Sequence, residues 1–149
     1  MRIIILMLAV VLAVAGPGYA QNWQEPARGT PTRKALMDAL RPHAMWMLGA
    51  PIEFVVDDLR QSGNLAFAAV TPQRPGGAAI NQHDTPGFQR SEVEPDHVGG
   101  VAIQALLYKS GDTWVAVHWA LGATDVWYSY EPFCAVWRDV IPEEVCQGL

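Results

Sequence analysis

The densest set of groups able to bind ions or move protons is Arg74, His83, Asp84, Arg90, Glu92, Glu94, Asp96 and His97, all between Pro72 and Gly100. Two chemistries suit such a set. His83, Asp84 and His97, with a carboxylate from Glu92 to Asp96, offer nitrogen and oxygen donors for a divalent ion. The same residues equally make a solvated polar loop, and the spacing favours that. Metal motifs hold ligands at fixed intervals on one element, such as two His four apart on a helix, and this stretch has no such interval. The sequence therefore assigns no metal and no cofactor, and Arg74, His83, Asp84, Arg90 and His97 become candidates for contacting a partner.

A second set is sparser. His118 lies in an apolar strand between Val117 and Trp119, Asp125 follows a few residues later, and Glu53 is flanked by Ile52 and Phe54. A general base needs a held neutral imidazole and a cavity to serve, so these three are catalytic candidates only if a pocket brings them together. A strand histidine is otherwise a packed residue, Asp125 a helix N-cap, and Glu53 a solvent-facing carboxylate. Aromatic residues crowd the C-terminal part: Trp114, Trp119, Trp127, Tyr128, Tyr130, Phe133 and Trp137. Trp127 and Tyr130, three apart, are candidates for stacking on a ligand or packing on Trp119. Exposure decides which. There is no Gly-x-Ser-x-Gly, no phosphate-binding glycine loop and no His-Glu-x-x-His.

These groups must be positioned by elements that the periodicity discloses. Thr30 or Thr32 can cap a helix with Pro31 in its first turn, and Leu36, Met37, Leu40, Ala44, Met47 and Leu48 recur as one apolar stripe. Pro42 interrupts the stripe, predicting a kink or a break at Arg41, and Gly49 is a C-cap candidate. From Pro51 the period becomes two. Ile52–Asp57 and Leu65–Val70 read as strands around Ser62-Gly63, and Val101–Tyr108 and Thr113–Leu121 as a second hairpin. A turn at Ser110-Gly111 sets Leu107 opposite Trp114 and Ile103 opposite His118, with His118 on the Trp114 side. Beyond Asp125 the chain reads as short helical pieces, broken at Pro132, the last starting near Pro142.

The first residues bear on location. Arg2, the apolar run Ile3–Ala15 and the small residues ending at Ala20 have the form of a secretory signal peptide cleaved after Ala20. Residues 21–30 read as a flexible leader, leaving one domain over 31–149. Removing residues 1–20 takes away Arg2, so nine Lys and Arg face fifteen Asp and Glu. That balance excludes nucleic acid as a partner and disfavours an anionic membrane surface. Cys134 and Cys146, an isolated pair in an oxidising compartment, predict a disulfide.

The strings Pro51-Ile52-Glu53-Phe54-Val55-Val56, Thr71-Pro72-Gln73-Arg74-Pro75-Gly76-Gly77 and Gly122-Ala123-Thr124-Asp125-Val126-Trp127-Tyr128 resemble those of small exported bacterial proteins of uncharacterised function. The layout, a helix and then a curved antiparallel sheet, is similar to the cystatin and nuclear-transport-factor-2 class of α+β folds. That likeness implies a fold and carries no site residues. It lacks that class's several N-terminal helices around a deep cone.

The expectation is thus an α+β domain: an N-terminal kinked helix on a four-stranded antiparallel sheet of two hairpins, with short C-terminal helices. The function it suits is that of a periplasmic or secreted, non-enzymatic protein that binds another protein or an envelope component and does not span the membrane after cleavage. An inhibitor or immunity-type protein, its acidity steering a basic partner, is one form of this. The alternative is a small-ligand-binding or enzymatic domain with a cavity between helix and sheet beside His118. A homodimer is compatible with either, since two apolar sheet faces need cover.

Overall fold

A computed structural model describes residues 22–147. The signal peptide expected at residues 1–20 lies outside them. Helix α1 spans Pro31–Leu48. The Thr30 hydroxyl accepts from the Arg33 amide at 3.3 Å and donates to the Ala27 carbonyl at 2.7 Å, so the cap also closes the turn leading into the helix. All six residues of the apolar stripe are buried. The helix does not break at Arg41: it runs through Pro42 to Gly49, whose φ of 78° ends it. An interior proline costs a helix about 3 kcal/mol. Leu36, Leu40, Ala44 and Leu48, each at most 1% exposed on both sides of it, outweigh that cost by holding both halves against one core.

Strands β1 (Glu53–Ser62), β2 (Leu65–Gln73), β3 (Ile103–Ser110) and β4 (Thr113–Leu121) form one antiparallel sheet in the order β1-β2-β3-β4. The two hairpins share one sheet, as expected, with β2 beside β3. The register of the second hairpin differs from the expected one. Ser110 pairs with Thr113, leaving Gly111 and Asp112 in the turn, so Leu107 faces Ala116 and Trp114 faces Lys109. A bulge at Val117 then shifts the ladder, and Leu106 pairs with His118. The extra residue reverses the alternation, so His118 leaves the Trp114 side and Trp119 takes its place. A matching bulge at Asp57 lets β1 continue to Ser62, beyond the strand expected from its apolar residues.

The sheet separates two apolar clusters. On one face α1 packs over Leu59, Ala66, Ala68, Val70, Ile103, Ala105, Leu107, Trp114 and Ala116. On the other, Phe67 and Leu106 are covered by the C-terminal segment through Cys134, Trp137, Val140, Ile141 and Cys146. That segment is a 3₁₀ turn at Trp127–Ser129, helix α3 at Glu131–Trp137, and turns beyond it. Pro132 sits in the first turn of α3, where its missing N–H costs nothing, and so it starts a helix where an interruption was expected. Near Pro142 there is a hydrogen-bonded turn, Val145 to the Pro142 carbonyl, in place of a last helix. The Trp137 indole donates to the Leu107 carbonyl at 3.0 Å and ties α3 to β3.

Residues 22–30 are well held for a segment that reads as a leader. Gln24 and Gln61 exchange two backbone hydrogen bonds of 2.9 Å, and Arg60 stacks on Trp23 at 4.5 Å. Glu25 and the Pro26 carbonyl both accept from Arg33 at 2.8 Å.

Cys134 and Cys146 are joined, with twelve residues of sequence separation. Cross-linking a loop of this length stabilises a fold by about 3 kcal/mol. Replacing both cysteines by serine should lower the unfolding free energy by about that amount, read from urea melts, and should loosen the Phe67 face before the α1 face.

Candidate functional site

The long connection between β2 and β3 folds back on the end of α1, and its arginines explain how. A helix leaves its last four carbonyls without intrahelical partners. Here Gly49 N–H reaches the Met45 carbonyl, Arg90 the Trp46 carbonyl at 2.9 Å, and Arg74 the Leu48 carbonyl at 2.7 Å. Arg74 also donates to the Gly49 and Pro51 carbonyls. Both cations lie at the negative end of the helix dipole. Arg74 and Arg90, candidates for gripping a partner, thus hold the protein's own backbone. Between them helix α2 (Pro86–Gln89) presses on α1 so closely that a Cβ on Gly87 would lie 2.8 Å from the Met47 carbonyl.

Arg90 carries a further arrangement. Its guanidinium stacks on Trp46 with 4.1 Å to the ring centroid and makes paired hydrogen bonds of 2.8 Å to Glu92, which also accepts from the Trp46 indole at 3.2 Å. The Arg90 hydrogen bonds hold the Glu92 carboxyl below its ordinary pKa. Trp46 is 61% exposed, fixed in place beside Met45 and Pro42. The sequence signal for it is present: Trp46 lies off the apolar stripe, on the face of the helix where a tryptophan gains nothing from the core.

The remaining loop groups stay apart. His83 is exposed with its ring edge-on to Phe88, Asp84 accepts from the Asn81 side chain, and His97 pairs with Glu94 at 2.7 Å. Among the described residues, no three His, Cys, Asp or Glu side chains are placed to hold a metal ion.

His118, Asp125 and Glu53 do not converge. His118 is half-buried under α3, its ring centroid 4.5 Å from Phe133 and 5.7 Å from Trp137. The Val117 bulge is the cause, because it turns His118 away from α1 and gives Trp119 the position facing His43, at 4.9 Å. Asp125 and Glu53 are exposed, and no hydrogen bond joins either to His118 among the described residues. Asp125 does not cap a helix, since the 3₁₀ turn that follows has no side-chain cap.

Trp127 and Tyr130 meet Phe133 instead of Trp119. Their ring centroids lie 5.7 Å and 5.4 Å from Phe133, and the Trp127 indole donates to Gln104 at 3.1 Å. Tyr130, at 62% exposure, projects from the start of α3. Tyr128 packs edge-on to Phe67; burial raises its phenol pKa, and the Asp58 and Glu144 carboxylates add to the rise.

Open grooves flank α1. One, of about 550 Å³, runs along Asp38, Arg41, Pro42, Met45 and Trp46. Another, of about 780 Å³, lies between the first turns of α1 and β1, with Arg28, Lys34, Met37, Phe54 and Val56 among its lining residues. No helix among the described residues is long and apolar enough to cross a membrane. No family model, curated protein or solved structure matches the chain.

Two outcomes follow from the arginines. Arg74→Ala should destabilise the fold by about 2 kcal/mol in urea melts, the size of hydrogen bonds from a charged donor, with Arg74→Lys recovering part of the loss. Because the folded Glu92 pKa is depressed, its contact with Arg90 is intact above the unfolded value of about 4.3 and is lost as pH falls through the lower folded value. Acid titration of tryptophan emission should therefore show a step below pH 4.3 that disappears in Glu92→Gln.

Proposed function

We propose that this is an exported, non-enzymatic interaction protein that binds another protein or an envelope component through its surface. The observation that carries the reading is the ordered exposure of large apolar side chains. Trp46 and Tyr130 are more than half exposed, and Val115 and Val117 on β4 are 44% and 45% exposed. Trp46 is clamped by Arg90 and Glu92, and Tyr130 leans on Phe133, so both are presented without being buried. Fixed apolar surface of this kind suits recognition, because little side-chain entropy is lost on docking.

The dispersal of the acid-base candidates supports the same reading, as does the packing of both sheet faces by the chain's own helices. The disulfide suits an oxidising compartment, and the apolar run Ile3–Ala15 behind Arg2 suits export to it.

Site-specific photo-crosslinking in the native cells tests the proposal. A photoreactive residue placed singly at Arg28, Trp46, Val117 or Tyr130 of the full chain should give a discrete covalent adduct outside the cytoplasm from at least one position, and none from a control at Gln89. Absence of an adduct from all four positions, with the protein processed and oxidised, overturns the reading.

A further inference from the structure

We propose that the groove between the N-terminal half of α1 and the free edge of β1 takes an acidic, extended segment of a partner protein as an added strand beside Phe54–Val56. This rests on the interaction-protein reading and gives the partner's chemistry. Shape, backbone and charge each point to it.

The groove is open and has a volume of about 780 Å³, with Met37, Phe54 and Val56 as its apolar part and Arg28 and Lys34 among its polar lining. A strand advances about 3.3 Å per residue, so four or five residues of an added segment would match Glu53–Asp57. Arg41 keeps this floor in place: its guanidinium lies 5.2 Å from the Phe54 ring centroid and donates to the Ile52 carbonyl at 2.7 Å.

The backbone is available along that stretch and closed beyond it. β1 is an outer strand of the sheet, and past the bulge at Asp57 its edge is taken by Gln24, which exchanges backbone hydrogen bonds with Gln61. Before the bulge, among the described residues, no strand pairs with the outer edge of Glu53–Val56. An open edge beside an apolar groove is the arrangement in which an extended peptide adds main-chain hydrogen bonds for affinity and side-chain pockets for selectivity.

The charge selects the segment. Arg28, Arg33 and Lys34 line the groove with no acidic residue among its lining, in a chain of net charge −5. Arg33 is committed to Glu25 and the Pro26 carbonyl, and Lys34 is paired with Asp38. Arg28 is exposed and makes no hydrogen bond or ion pair among the described residues. A carboxylate of the added strand would meet Arg28, with Lys34 beside it exchanging from Asp38, while small apolar side chains meet Met37 and Phe54. The exposed Glu53 and Asp57 at the ends of the stretch confine the segment's acidic side chains to that rim. The Thr30 hydroxyl already serves the Arg33 amide, so the recognition comes from side chains and the strand edge and not from the helix end.

The test uses the oxidised protein and two synthetic octapeptides, one alternating Glu with Val and one alternating Lys with Val. Calorimetry should show binding of the acidic peptide and not of the basic one. The double substitution Arg28→Glu with Lys34→Glu changes only exposed side chains, and it should weaken binding about tenfold or more, with wild-type binding weakening as salt rises. Amide exchange at Phe54 and Val56, whose N–H groups face the open edge, should slow on binding. Val56→Pro, which removes an outward N–H of the β1 edge, should also lose the interaction when circular dichroism shows it folded.

Failure of the acidic peptide to bind, unchanged binding by the double variant, or binding without protection of the β1 amides would each overturn the inference. So would a concentration-dependent dimer that the double variant abolishes, since the groove would then belong to a second copy. Crosslinks from Trp46, Val117 or Tyr130 with none from Arg28 would overturn it while leaving the interaction reading standing.

Discussion

The capture of the α1 C-terminal carbonyls by Arg74 and Arg90 is the interaction on which the other features depend. A helix end pointing into protein must have its carbonyls met, and here the partners come from a segment far along the chain. Meeting them folds the β2–β3 connection back over α1, brings α2 to lie on the Met47 backbone, and sets Arg90 over Trp46. The length of the connection, unusual between neighbouring antiparallel strands, is thereby accounted for. Its polar residues look like a ligand-binding set in one dimension. In three dimensions its arginines serve mainly as helix-terminating groups.

The sheet then needs a second cover, which the C-terminal segment supplies. Phe67 and Leu106 face away from α1, and α3 with the turns behind it would be too short to remain there unaided. The Cys134–Cys146 link and the Trp137 bond to the Leu107 carbonyl hold it down. Phe133 sits at the centre of this cover, touching His118, Trp127, Tyr130 and Trp137 through tilted or edge-on ring contacts. Most of the late aromatic residues are consumed by this role. Trp46 and Tyr130 are the aromatic residues more than half exposed among the described residues, ahead of Tyr108 and Phe88.

Much of the fold is legible in one dimension because it rests on local rules. The stripe from Leu36 to Leu48, the Thr30 cap, Gly49, the two alternating hairpins and the cysteine pair all state their structure through spacing and residue type. What is not legible depends on one-residue events or distant partners. A bulge has no residue signature in Val117, yet it moves His118 from the α1 face to the α3 face, and the strand order, equally silent in the residues, puts Glu53 on the opposite edge of the sheet. Pro42 breaks a helix by local rules, and only the burial of both flanking turns overrides it. Arg74 and Arg90 are readable as charged, but their targets lie more than twenty residues away. Trp46 is passed over in one dimension, although its place off the apolar stripe marks it; Arg28 and the β1 edge become a site only once the order of the strands is known.

The bulge at Val117 also bears on how this chain can change by inheritance. Upstream of it Trp114 and Ala116 belong to the α1 core, and downstream Trp119 rejoins that core only because one residue is spent without a pairing partner. Loss of the Val117 codon would remove the extra residue and leave His118 opposite Leu106 and Trp119 opposite Ala105, so both side chains would keep the faces they now occupy. Insertions at Gly111-Asp112, in the exposed turn of the same hairpin, likewise leave both faces of β4 as they are. Length variation among descendants of this sequence should therefore gather at two places, the hairpin tip and, as loss of one residue, the bulge where the β4 ladder is already irregular.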